Sequence, residues 1–190
     1  MVIRQVEYFE KAGPENTKRC VEIVEQLVKK EGYMHVVVAS TSGTTGIEFS
    51  CALAGAGVNL VVVGHSVNFK EANHNEFSDE IRKQIQESGG KVFLGTILTH
   101  SLETSLAKEH GGIYPTILIT QTLRRIAQGI KVGCEIVMEA CDAGLIPEGE
   151  EIVAVGGTKK GADTVSIIKS VPSKRFLQLK VLEILAKPRG

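Results

Sequence analysis

The sequence has no excess of charge of either sign: 22 basic residues balance 22 acidic ones, for a formal net charge of +0. That argues against a nucleic-acid or membrane-surface protein, which needs a basic surplus to neutralise phosphates. No uncharged apolar run approaches the ~20 residues that cross a bilayer. The opening "MVIRQVEYFE" is charged and lacks the apolar segment of a secretion signal. The four cysteines, Cys20, Cys51, Cys134 and Cys141, form no CxxC pair. Reduced, buried thiols in a cytoplasmic protein are expected. No HxH, HExxH or Cys/His cluster supplies metal-ligand spacing, so no metal is expected. No GxSxG supplies a nucleophile elbow, and no GxxxxGK[ST] a P-loop. "GAGVNL" starts like a dinucleotide fingerprint, but it lacks the third glycine and precedes a strand instead of following one. The next strand also ends in Gly64–His65, where a ribose-binding acid would stand, so an NAD enzyme of the usual type is not expected. There is no internal repeat, low-complexity tract or linker.

What is present is an ordinary globular composition, 43% hydrophobic and 23% charged over 190 residues. It fits a single domain over residues 1–190 with a full core. Asn16 or Thr17 can cap a helix that carries Val21, Val24, Leu27 and Val28 and ends at Gly32. "MHVVVAS" reads as a strand buried on both faces. "IEFSCALAGAG" reads as a short helix, "VNLVVVGHS" as a second strand, "NHNEFSDEIRKQIQESGG" as an amphipathic helix and "KVFLGT" as a third strand. "HSLETSLAKEHGG" predicts a short helix, and Pro115 to Ala143 a continuous helical stretch. In that stretch Gly129 and Gly133, one turn apart, can admit another backbone. "EEIVAVGGTKKGADTVSII" holds a fourth strand and a second glycine-rich loop, and "KRFLQLKVLEILAK" a last strand near an edge. Strands alternating with helices predict an α/β fold: a three-layer α/β/α sandwich around a mostly parallel sheet of about five strands.

In such a sheet ligands bind outside the carboxyl ends of the strands, where strand order reverses. Residues 40–46 leave one such end as Ser40, Thr41, Ser42, Gly43, Thr44, Thr45 and Gly46. The helix that follows offers unpaired N–H groups and the positive end of its dipole. Five hydroxyls and two glycines that let the main chain approach an anion suffice for one phosphate group. A cap needs one hydroxyl, and this loop has five. Glu48, in the first turn, is expected to face solvent. Loop 156–163 brings Lys159 and Lys160, which pair with phosphate charge or stand solvated on a turn. Asp163 either caps a following segment or bonds a ligand hydroxyl. Among His65, His74 and His100, His65 follows a strand directly and is the first candidate for ligand contact.

With both loops placed, "HVVVASTSGTTGIEFSCAL" resembles the first strand–loop–helix of the pyruvate kinase C-terminal domain. "EIVAVGGTKKGADTVSIIK" resembles its fourth strand and Gly/Thr loop, and "YFEKAGPENT" the opening of stand-alone archaeal and bacterial members of the superfamily. In some pyruvate kinases the first loop holds a sugar-phosphate effector, which matches Ser40–Gly46. The chain departs from the family at Thr44, where a basic residue is usual, and at Thr158–Lys159, which replaces an aromatic–Arg pair. The kinase's catalytic residues lie in a separate barrel, so kinase activity is not implied.

The stand-alone members resemble FMN binders. The resemblance implies FMN with its phosphate on loop 40–46 and its ribityl hydroxyls near Thr96, Thr158 and Asp163. Gly64, His65, Gly156 and Gly157 leave room for the ring, although no Trp is available to stack on it. A flavin-dependent oxidoreductase is one expectation. A non-catalytic module sensing a sugar phosphate is the alternative. The partner is a phosphate-bearing small molecule, with neither nucleic acid nor membrane. The apolar last strand and the glycine-bearing helix point to a homo-oligomer.

Overall fold

The computed structural model describes residues 3–190. Seven strands form one sheet: β1 (Glu7–Phe9), β2 (His35–Ala39), β3 (Asn59–His65), β4 (Lys91–Gly95), β5 (Glu151–Gly156), β6 (Thr164–Lys169) and β7 (Lys180–Pro188). Their order is β1-β7-β6-β5-β2-β3-β4. All neighbours run parallel except at β6, which is antiparallel to both β5 and β7. Six α-helices accompany them: α1 (Thr17–Glu31), α2 (Thr44–Leu53), α3 (Asp79–Glu87), α4 (Leu102–His110), α5 (Pro115–Arg124) and α6 (Gln128–Asp142).

Successive side chains of a strand point to opposite faces, so β2 feeds two cores. Val36 and Val38 join one core with Cys20, Val24 and Leu27 of α1, Phe49 of α2 and Ile85 of α3. Val37 joins the other, with Ile130, Cys134 and Val137 of α6. The apolar runs of β2 and β3 are the signature of parallel strands covered on both faces, and the three-layer expectation holds. Seven strands replace the expected five because two were not foreseen. β1 is three residues long and pairs with β7 at the other end of the chain. β6, read as the tail of a loop, pairs antiparallel with β5 over Glu151–Lys169 to Gly156–Thr164.

Helical stretch 115–143 is two helices. Ala127 adopts φ −169°, ψ 151° and breaks it, and α5 then packs back on α6. Helix α1 ends at Gly32, whose left-handed φ of 77° bonds back to Leu27. Of the cysteines, Cys20 and Cys134 are buried, Cys141 is half-buried and Cys51 is exposed, which corrects the expectation for the last; all four are free. Burial pushes the thiols of Cys20 and Cys134 up to about 12. Among the described residues no helix is long and apolar enough to cross a membrane.

Strand β2 lies between β3 and β5, with α2 leaving it on one face and α6 covering the other. This is where strand order reverses. The carboxyl ends of β2 and β5 part here, and the first turns of α2 and α6 stand over the gap.

Candidate functional site

A cleft of about 760 Å³ opens at that switch point. One wall is loop 40–46 with the start of α2, and opposite it stands loop 157–161. The far wall is α6 with His100 and Arg124. Ala39, Val63, Ile97, Val132 and Ile136 give the cleft apolar lining.

Loop 40–46 divides into two parts. Ser42 and Thr44 are exposed on the cleft, 3.1 Å apart through their hydroxyls. Thr41 Oγ1 lies 3.4 Å from His65 Nε2. Gly43 has no side chain to cap α2, so the Thr44 and Thr45 amides of its first turn keep their capacity to bind an anion. Ser40 is spent internally: its buried Oγ accepts from the Gly46 amide at 3.1 Å. The two glycines serve packing more than ligand approach. A Cβ at Gly43 would collide with Ile81 and Phe77, and one at Gly46 would stand 2.6 Å from Val62 Cγ1. Gly43 also takes φ 91°, a backbone that other residues resist. Glu48 is exposed as expected, yet it lies on the cleft rim.

His65 reaches the cleft from the end of β3. Its Nδ1 lies 3.1 Å from Glu76 Oε2, and its ring packs 4.4 Å from the Phe69 ring. Burial works against the charge of Glu76, but bonds from Lys70 and His65 hold its carboxyl below the usual range. Gly64 has no room for a side chain: a Cβ would meet Leu94 Cδ2 at 2.7 Å and the Ser40 carbonyl at 3.1 Å.

Loop 157–163 is folded around Asp163. That carboxylate is wholly buried and accepts from the Thr158 amide (3.1 Å), the Gly13 amide (3.2 Å) and Thr164 Oγ1 (2.9 Å). Thr17 Oγ1 takes the Ala162 amide at 3.0 Å. The N-terminal segment thus braces the loop, and Asp163 organises it instead of meeting a ligand. Gly157, Lys159 and Lys160 line the cleft. Lys159 is held at φ 65°, a left-handed conformation that is costly away from glycine. Six expected contacts are absent from the cleft lining: Gly43, Gly46 and Asp163, packed as just described, and three more. Thr96 is exposed outside it, Thr158 is half-buried with its amide on Asp163, and Gly156 is buried against the Gly129 backbone. His74 is exposed and is not part of the lining.

The α6 wall was not anticipated. Lys131, Glu135 and Glu139 are 4%, 5% and 4% exposed and all line the cleft. Glu135 accepts from Lys131 Nζ and from Thr99 Oγ1. Burial pushes the Lys131 ammonium down in pKa, partly offset by Glu135. Burial and then the Glu135 charge push the Glu139 carboxyl up to about 8. Burial and then Lys131 lower His100. The signal was in the sequence, since positions 131, 135 and 139 recur every fourth residue along one helix face. Among the described residues no three His, Cys, Asp or Glu side chains group to hold a metal ion.

The sequence pattern of the family described as "Pyruvate kinase, alpha/beta domain" matches residues 18–169. Among solved structures, an O-ureido-L-serine synthase is 20% identical, covers 70% of this chain and 40% of its own, and gives a TM-score of 0.31. Escherichia coli diaminopropionate ammonia lyase is 16% identical, covers 66% of this chain and 34% of its own, and gives 0.28. The chain thus spans less than half the length of either protein, and scores this low carry no functional argument.

Proposed function

The chain belongs to the pyruvate kinase α/β-domain family, and we propose from that premise that its cleft binds a phosphate-bearing small molecule, FMN by preference. The observation that carries the reading is the start of α2, where the Thr44 and Thr45 amides have no capping side chain at Gly43 and stand with the Ser42 and Thr44 hydroxyls in a cleft that Lys159 and Lys160 also line. Amides, hydroxyls and ammonium groups together suit a monoester dianion.

The rest of the cleft fits the rest of FMN. Its apolar lining suits a planar hydrophobic ring, and Phe69 beside His65 is the aromatic surface available to it. A volume of about 760 Å³ lies within the range of cofactor sites. The ribityl chain would pass between loop 40–46 and loop 157–161, not beside Thr96, Thr158 or Asp163. When bound, the flavin would supply the hydride chemistry of an oxidoreductase. The protein's own residues would bind, orient and shield it. A sugar-phosphate sensor is the second reading, favoured by the two exposed hydroxyls and two lysines, which need no ring to act on.

Melting curves with FMN, riboflavin, a hexose bisphosphate and inorganic phosphate test this. FMN at about 100 times its dissociation constant adds about 2.7 kcal/mol of stability. Riboflavin, without the phosphate, is expected to do far less, and Thr44→Glu to remove the FMN effect. Equal shifts from FMN and riboflavin, or an undiminished shift in Thr44→Glu, would overturn the phosphate assignment. A shift from the hexose bisphosphate alone would favour the sensor.

A further inference from the structure

Three basic side chains from three elements meet on the α6 wall, away from the phosphate loop. Arg124 comes from the end of α5, His100 from the segment after β4, and Lys131 from the second turn of α6. His100 Nε2 lies 3.5 Å from Arg124 Nη2, and His100 Nδ1 lies 3.5 Å from Lys131 Nζ. The imidazole is therefore wedged between two cations. Against them stands one bonded carboxylate, Glu135, which is committed to Lys131 and Thr99. No carboxylate pairs with Arg124 among the described residues; its Nε is bonded only to Gln128 Oε1, at 2.9 Å. Burial and the Glu135 charge push the carboxyl of Glu139, one turn beyond Glu135, up to about 8, away from its charged form. Arg124 and Lys131 thus flank an imidazole whose own charge is disfavoured by burial and by Lys131, and the Arg124 charge in this half-desolvated wall has no carboxylate to meet it.

We propose that Arg124, His100 and Lys131 form a second anion subsite, and that it receives the carboxylate of a small organic acid. This names the substrate class of the cleft and rests on the reading that loop 40–46 holds the cofactor's phosphate. A carboxylate fits better than a phosphate for two reasons. The planar guanidinium of Arg124 matches a planar carboxylate through paired N–H donors. Glu135 already occupies part of the wall, so the excess positive charge suits one negative charge and not two. Arg124 is half-buried and anchored to Gln128, which pre-sets its approach to the cleft. The apolar Ile97 and Val132 beside the cluster accommodate a short carbon chain.

Calorimetric titration of the FMN-saturated protein with malonate, succinate and glutarate tests the subsite, with the matching diamides as uncharged controls. The diacids are expected to bind and the diamides not. Arg124→Gln is expected to weaken diacid binding by roughly tenfold or more, with Arg124→Lys between the two, because a point charge replaces a fork. His100→Gln, at a different position, guards against a local folding defect and is expected to weaken binding as well. FMN-free Thr44→Glu is expected to bind the diacids as the parent does. Equal binding of diamides, or unchanged affinity in both Arg124→Gln and His100→Gln, would overturn the subsite. Diacid binding lost in Thr44→Glu and kept in Arg124→Gln would place the acid on the phosphate loop and overturn it too. Inorganic phosphate binding lost in Arg124→Gln but kept in Thr44→Glu would overturn both the phosphate-loop reading and the carboxylate assignment. Failure of FMN binding in Thr44→Glu with diacid binding intact supports both.

Discussion

The two walls of the cleft are made of opposite materials. Loop 40–46 uses small uncharged residues, main-chain amides and a helix start, and its cleft-facing groups Ser42 and Thr44 are exposed. The α6 wall uses long ionisable side chains that are nearly all withdrawn from water. A nest of dipoles costs little to leave empty, because water can occupy it. A buried ion cluster is expensive unless each member is paired. The first wall should therefore tolerate substitution and lose ligand, whereas the second should lose stability first.

The largest expected effect tests that contrast directly. Lys131→Met leaves Glu135 buried without its ammonium and should cost about 3–5 kcal/mol in urea unfolding, while Lys131→Met with Glu135→Leu should recover most of it. A single variant as stable as the parent would mean that the pair is solvated and the contrast is false. Next comes Gly156→Ala. Its methyl would run into the Gly129 carbonyl and stand 2.9 Å from Gly129 Cα. Backbone cannot yield there as a side chain tip can, so about 3 kcal/mol should be lost. An unaltered denaturation midpoint would show that the α6–β5 contact is looser than described.

Glu139→Gln sharpens the comparison through pH. Its carboxyl rises from an ordinary 4.5 to about 8 in the fold. Between those values the folded protein keeps a proton that the unfolded chain has released, so stability falls as pH rises through the window. The slope is up to about 1.4 kcal/mol per unit. The glutamine variant should lose that slope and exceed the parent most above pH 8, as read from urea midpoints at pH 5, 7 and 9. Parallel slopes in the two proteins would refute the burial of a neutral acid. Lys159→Gly relieves a left-handed backbone and should gain about 1 kcal/mol while weakening FMN binding. Ser42→Ala, the smallest, should move stability by less than about 0.5 kcal/mol yet still lower FMN affinity in the same titration.

Much of the fold was readable from local pattern. Runs such as Val36–Val38 and Leu60–Val63 are apolar without alternation, which only doubly covered strands require. The break at Ala127 was not readable: no glycine or proline stands at 125–127, and the apolar spacing runs through it. Strand β1 owes its existence to a partner more than 170 residues away, which no local window contains. Within the site, the Ser/Thr/Gly loop stood out because its chemistry is contiguous. The packing role of its glycines was not readable, since Ile81 and Val62, the side chains that exclude a Cβ there, are distant in sequence. Asp163 was misplaced for the same reason: its donors Gly13 and Thr158 converge on it only in the fold. The expected self-association drew on two features that are used within the chain. The end of β7, Ala186–Pro188, is paired by β1, and Gly129 is packed against Gly156 and Thr164.

The sequence by itself determined which segments are buried strands, where the sheet's carboxyl-end loops lie and that one of them can cradle an anion. Those properties depend on neighbouring residues, through backbone period, helix ends and hydroxyl chemistry. Tertiary structure alone decided that α5 and α6 are separate and that Asp163 turns inward. It also alone brought Arg124, His100 and Lys131 together. Electrostatic and steric fit depend on distances in space, and residues on three separate elements share a cleft only after the sheet has closed between them.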